Sequence, residues 1–250
     1  MTKIALITGA SSGIGRATAK AFAKEGFNLI VCGRRQDRLN DLQAELADLV
    51  QVYTLTFDVS NRSAVAEAID SLPVEWREID ILVNNAGNAH GLSTIQDGNI
   101  DDWDAMMDGN VKGLLYVSKA IMPMMILRQK GHIINISSIA GKQTYPNGNV
   151  YCASKAAVEA ISEGMRLDLN PHGIKVTNIA PGAVETEFSL VRFKQDFDRA
   201  GNVYKGFQPL LAEDIANTIV FVVTAPAHVV IADLTIFPLA QASAMVLKRN

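Results

Sequence analysis

Short apolar runs alternate along the chain with amphipathic stretches. Ile4–Thr8, Phe27–Cys32, Val52–Phe57, Ile79–Val83, His132–Ser137 and Lys175–Ile179 are the clear runs, and Leu234–Phe237 is a weaker seventh. Several are apolar on consecutive residues, which predicts strands buried on both faces. Between them apolar positions recur at helical spacing. They predict helices over Gly13–Gly26, with Ala17, Phe22 and Ala23 inward, and over Arg38–Leu49, Arg62–Leu72, Asp102–Gln129, Asn149–Asn170 and Ala212–Thr224. This alternation predicts an α/β fold: one doubly wound, Rossmann-type parallel sheet of about seven strands with helices on both faces. No solenoid repeat or low-complexity linker divides the chain, so residues 1–250 read as a single domain. Residues 182–206 fit neither period cleanly. So long a connection is expected to be a functional or mobile lid.

Composition narrows the classes. Apolar residues make up 48% of the 250 and charged residues 20%, which suits a globular chain able to bury its own core. A net charge of −3 gives no reason to expect nucleic acid or an anionic membrane as partner. No apolar run approaches the roughly 20 residues of a membrane span. The Ile4–Ile7 run after Lys3 is too short for a signal-peptide core. The four histidines show no zinc-site spacing, so no metal is expected. Cys32 and Cys152 are far apart, which fits a reducing compartment, with the cytoplasm as the expectation.

The chemistry begins at Thr8-Gly9-Ala10-Ser11-Ser12-Gly13-Ile14-Gly15, between the first strand and the first helix. Glycines there let the backbone approach a pyrophosphate, and the helix N-terminus adds free N–H groups and positive dipole. A flexible turn is the plain alternative; the position after a strand and before a helix argues against it. Where an NAD site would carry an acid, the second strand ends Cys32-Gly33-Arg34-Arg35. Two guanidinium groups suit a 2′-phosphate, so NADP is the expected cofactor. The alternative is a solvated basic corner, with Arg35 and Arg38 paired to Asp37 or Asp41.

Tyr151 and Lys155 stand four apart on one helix face. A nearby ammonium favours the phenolate and would bring tyrosine toward working pH, as general acid–base catalysis needs. A chance Tyr-x-x-x-Lys pair is expected in about one such chain in four, so the pair alone proves little. Ser138 lies thirteen residues before the tyrosine and can donate a hydrogen bond to a substrate oxygen.

Taken in order, the Thr-Gly-x-x-x-Gly-x-Gly turn, Asn84-Asn85-Ala86-Gly87, Asn110, Ser138, Tyr151-x-x-x-Lys155 and Pro181-Gly182 resemble the short-chain dehydrogenase/reductase family over almost the whole chain. The resemblance implies Asn110, Ser138, Tyr151 and Lys155 as catalytic residues, with Asn110 holding a water that links Lys155 to solvent. It implies cofactor contacts from Gly9, Ser11, Ser12, Gly13, Ile14, Gly15, Arg34, Arg35, Asp58, Val59, Asn85, Tyr151, Lys155, Pro181, Gly182, Val184 and Thr186. Asp58-Val59 would meet the adenine, and Asn85 the adenosine ribose side, unless Asn85 only ties strands together. A homotetramer is implied as well.

Leu72-Pro73-x-Glu75-Trp76, Gly148-Asn149-Val150-Tyr151, Glu187-Phe188-Ser189 and Val191-Arg192-Phe193-Lys194 resemble a subfamily of NADP-dependent 3-hydroxy acid dehydrogenases acting on serine and allo-threonine. A 3-oxoacyl-thioester or general carbonyl reductase would share every catalytic residue. A non-enzymatic NADP-sensing regulator on the same fold would not need all of them. A hydroxy acid's carboxylate would need a cation in the lid. Arg192 is the first candidate beside Ser138 and Tyr151 for substrate binding, and Lys142 is the reserve.

Overall fold

Five successive buried residues, Ile4–Thr8, form β1 at the heart of the sheet. The structure, a computed structural model, describes residues 2–250. The other strands of the main sheet are β2 (Asn28–Gly33), β3 (Val52–Thr56), β4 (Ile79–Asn84), β5 (Gly131–Ile136), β6 (Ile174–Pro181) and β9 (Asp233–Ile236). A separate two-residue ladder pairs β7 (Val184–Glu185) with β8 (Leu210–Leu211). The seven strands run in the order β3-β2-β1-β4-β5-β6-β9, and every neighbouring pair is parallel. Strand order therefore reverses between β1 and β4, and a crevice opens at their carboxyl ends.

One face of the sheet is covered by α1 (Gly13–Lys24), α2 (Gln36–Leu46) and α10 (Ala212–Val223). There Phe22, Leu39, Leu42 and Ile219 are fully buried. The other face carries α3 (Arg62–Asp70), α5 (Gly113–Arg128) and α7 (Asn149–Leu169), packed around Leu82, Val117, Ile121 and Val158. Ala17, Phe22 and Ala23 lie inward on α1 as its periodicity predicts. No helix among the described residues is long and apolar enough to cross a membrane.

Two expectations are revised. The single helix over Asp102–Gln129 is three pieces: α4 (Ile100–Met107), a π turn at Asp108–Lys112, and α5. The π turn shifts hydrogen bonding by one residue and brings Asn110 inward, 2% exposed. Hydrophobic spacing barely registers such a shift. The segment 182–206 is not irregular throughout. It holds β7 and two short helices, α8 (Phe188–Arg192) and α9 (Phe197–Asn202). Elements of five and six residues are too short to show a period.

Candidate active site

At the end of β1 the chain turns through Gly9 and Gly13, at φ 68° and 51°. Such left-handed positions suit glycine. A Cβ on Gly13 would press on Thr186 at 3.3 Å, and one on Gly15 would collide with the Gly9 carbonyl. Ser12 precedes α1 without a side-chain capping bond, so the first N–H groups of the helix remain available to an anion. Asn85 braces the turn by donating Nδ2–H to the Thr8 carbonyl at 2.9 Å. Its structural role is thus real, and it lines the cleft as well. These backbone donors, with bare glycines around them, fit a dinucleotide's pyrophosphate.

The two arginines after β2 differ. Arg34 is largely exposed and lies 3.5 Å from Asp58. Arg35 is engaged. It donates to Ser11 Oγ at 3.0 Å and Ser12 Oγ at 2.8 Å, and pairs with Glu187 at 3.0 Å. Arg38 reaches the other Glu187 oxygen at 2.6 Å. The partner of Arg35 and Arg38 is therefore the distant Glu187, not Asp37 or Asp41. Burial would raise the Glu187 carboxyl, but Arg38 and Arg35 outweigh it and hold it below the usual range.

Ser138 begins a short helix, α6 (Ile139–Lys142), and its hydroxyl accepts from Ala140 N–H at 3.1 Å. Its neighbour Ser137 is turned away, donating to the Lys155 carbonyl at 3.2 Å. Tyr151 is 8% exposed, and the Ser138 side chain stands beside its phenol. Lys155 Nζ donates to the Ile136 carbonyl at 2.9 Å, and burial brings its ammonium down to about 8. Burial also pushes the Tyr151 phenol up to about 12, against the pull of Arg192. The expected fall of Tyr151 toward neutrality under Lys155 is thus overridden in the protein alone, because desolvation is the largest effect. Asn110 stands behind the wall. Its Oδ1 accepts from Asn88 N–H at 2.7 Å, and its Nδ2 donates to the Asn88 carbonyl and Ser154 Oγ at 2.8 and 3.0 Å. Gly87 lies between, since a Cβ there would meet Asn110 Oδ1 at 2.8 Å and Lys155 Nζ at 3.5 Å.

Of the site residues expected from sequence, all but Gly15 and Asn110 line one cleft of about 740 Å³. Arg192 is among them. Its Nη2 donates to the Tyr145 hydroxyl at 2.8 Å, and its Nε is buried without an acceptor among the described residues. Lys142 cannot stand in for it, because its ammonium is held by Glu159 and Asp233 at 2.9 and 2.8 Å. Sequence reasoning missed Tyr145, Phe188, Gln241 and Arg249, which also line the cleft. Gln241 Oε1 accepts from Ala183 N–H at 2.8 Å, so a residue near the C-terminal end holds the start of the segment 182–206. Glu187 and Phe188 belong to a stretch that resembles the hydroxy acid subfamily, but nothing local in the sequence shows what either touches.

A family model described as short chain dehydrogenase matches residues 3–196. The chain is 46% identical to an NADP-dependent 3-hydroxy acid dehydrogenase of Salmonella typhi, over 96% of this chain and 97% of that protein. It is 44% identical to sulfoacetaldehyde reductase 2 of Chromohalobacter salexigens, over 97% and 96% of the two chains. Among solved structures, the closed form of serine dehydrogenase complexed with NADP+ superposes with a TM-score of 0.93 at 44% identity, covering 99% of each chain.

Proposed function

The chain belongs to the short-chain dehydrogenase/reductase family, and from that premise we propose an NADP-dependent oxidoreductase that acts on the hydroxyl-bearing carbon of a small 3-hydroxy acid. Serine, allo-threonine and 3-hydroxypropionate are the substrate type. The observation that carries the substrate reading is the guanidinium of Arg192, which lines the same cleft as Tyr151 and the glycine turn and whose buried Nε has no acceptor among the described residues. A buried guanidinium N–H without an acceptor is costly, and a carboxylate on the substrate would supply one.

When bound, the nicotinamide supplies the hydride chemistry. Tyr151 carries the proton: its phenol gives it to the carbonyl oxygen in reduction, and its phenolate takes it from the hydroxyl in oxidation. Ser138 orients that oxygen by a hydrogen bond. Lys155 is proposed to favour the phenolate by its charge, and Asn110 to support a water path to Lys155, both on family resemblance. Arg34 is proposed to read the 2′-phosphate. Gly9, Ser11, Ser12, Gly13, Ile14, Gly15, Arg35, Asp58, Val59, Asn85, Pro181, Gly182, Val184 and Thr186 complete the cofactor cradle, and residues 182–206 form the lid of a single-domain enzyme.

A homotetramer is proposed on resemblance. Exposed Phe221, Leu239, Met245 and Val246 support it as apolar surface to bury. A cytoplasmic setting is proposed, consistent with Cys32 and Cys152 as free thiols. The test is a panel with NADP+ read by absorbance of the reduced cofactor, comparing serine, allo-threonine, 3-hydroxypropionate and an acetoacetyl thioester, the last with NADPH. Turnover of the hydroxy acids is expected. A strong preference for the thioester would point to the carrier-linked reductase instead. Tight NADP binding without turnover of any substrate would point to a sensor.

A further inference from the structure

The lid meets the cofactor half of the molecule through one side chain with two partners. Glu187 lies immediately before α8, and its two carboxylate oxygens are divided between Arg35 at 3.0 Å and Arg38 at 2.6 Å. Arg35 is in turn bonded to Ser11 and Ser12 of the glycine turn. A continuous polar chain thus runs from the phosphate-binding turn to the N-terminal end of α8 in the lid. Five residues beyond Glu187, at the end of α8, the guanidinium of Arg192 covers the Tyr151 ring. A five-residue helix transmits a displacement of one end to the other as a rigid piece.

We propose that Glu187 is a latch: gripped by Arg35 and Arg38, it holds the lid against the glycine turn and so positions Arg192 over Tyr151. The two arginines that the sequence assigns to one phosphate then have different roles. Arg34, exposed and only loosely paired with Asp58, is free to read a 2′-phosphate. Arg35 has its donors committed to Ser11, Ser12 and Glu187 and fastens the lid. Both halves of the latch are near the surface, so its strength falls with salt.

The latch rests on the cofactor reading only in its account of Arg34, and the experiment separates the two. The full-length protein and its Glu187→Gln variant are digested briefly with trypsin, with and without NADP+, and cleavage after Lys194, Arg199 and Lys205 is followed by mass spectrometry. Binding of adenosine 2′,5′-bisphosphate and of 5′-AMP is measured on both proteins by calorimetry. Glu187→Gln is expected to raise lid cleavage and NADPH dissociation about three- to tenfold, the scale of partly exposed ion pairs. It should leave the preference for the bisphosphate intact. Arg38→Gln, which leaves the Arg35 pair in place, should give part of the effect, and the double variant should match Glu187→Gln alone, as a shared interaction requires. Unaltered lid cleavage and dissociation in Glu187→Gln would overturn the latch. So would tighter binding of the bisphosphate, which would make Glu187 a competitor of the phosphate rather than a fastener. A wild type that does not distinguish the bisphosphate from 5′-AMP would remove the Arg34 reading while leaving the digestion result to decide the latch.

Discussion

The guanidinium carbon of Arg192 lies 4.7 Å from the centre of the Tyr151 ring. Phe188 packs on the same phenol with ring centres 5.7 Å apart, so two side chains of α8 pack against the tyrosine. This arrangement dries the phenol and places a positive charge beside it at once. Desolvation raises its pKa and the guanidinium opposes that rise. Helix α8 therefore shapes the phenol proposed as the acid–base group as well as covering it.

Replacing Tyr151 with Phe tests the proton carrier. The ring and its packing against Phe188 and Arg192 are retained, and only the hydroxyl is lost. Turnover should fall by about 10²–10⁴-fold, the usual range for general acid–base groups. NADPH binding, followed by fluorescence, should stay near the wild-type value. Turnover close to wild type would exclude the phenol from the chemistry.

Lys155 makes an opposite pair of predictions for activity and stability. Its ammonium is lowered by burial from 10.5 to about 8. The folded state therefore binds this proton less tightly than the unfolded chain, and folding at pH 7 is penalised by roughly 3 kcal/mol. Lys155→Met should abolish most activity yet melt a few degrees higher at pH 7, less whatever the lost bond to the Ile136 carbonyl contributes. The penalty is full below pH 8 and fades as pH rises to 10.5, so the two melting curves should converge over that window. A variant less stable than wild type at pH 7 would show that the ammonium's contacts outweigh its desolvation.

Much of this site is legible along the chain because its parts are local. The glycine turn, Ser138 and the Tyr151–Lys155 pair each lie at the end of a strand or on one helix turn, so the family resemblance can be read from short motifs. Ser138 rather than Ser137 follows from the thirteen-residue spacing that the resemblance implies, and the structure gives the reason: Ser137 is bonded to the backbone of α7. What sequence does not show is which charges cross the cleft. Glu187 stands 152 residues from Arg35, whereas Asp37 and Asp41 are close by in the chain. The π turn at Asn110 is hidden because a one-residue shift in bonding hardly disturbs the apolar stripe of a long helix. Lys142 reads as free in the sequence because its partners Glu159 and Asp233 are 17 and 91 residues away.

Cofactor choice should depend on Arg34 more cleanly than on Arg35. Removing a guanidinium's charge-assisted bonds to phosphate costs about 1.5–3 kcal/mol. Arg34→Ala should therefore weaken NADP+ by roughly ten- to a hundredfold and leave NAD+ nearly unchanged, as read by titration with each cofactor. Arg35→Ala removes bonds to Ser11 and Ser12 as well, so it should impair both cofactors. Equal loss for both cofactors in Arg34→Ala would assign Arg34 a structural part.

Arg192 should discriminate acids from alcohols. Its Nη2 is tied to Tyr145, which orients the fork, while its buried Nε lacks an acceptor among the described residues. A substrate carboxylate docked there would gain a charge-assisted bond in a dry site, and an uncharged alcohol of the same size would not. Arg192→Met keeps the apolar stem over Tyr151 and removes the charge. On a hydroxy acid kcat/KM should fall by roughly ten- to a hundredfold, while an uncharged alcohol should lose much less. A second signature follows from the ring contact. With the guanidinium gone, its opposition to burial at the phenol is lost, so the pH limb assigned to Tyr151 should move upward for both substrates. The sign matters: oxidation needs the phenolate and would require a higher pH, whereas reduction uses the neutral phenol and would extend to higher pH. Comparable losses on acid and alcohol, with an unmoved limb, would reduce Arg192 to a lid-closing residue that reads neither the carboxylate nor the tyrosine.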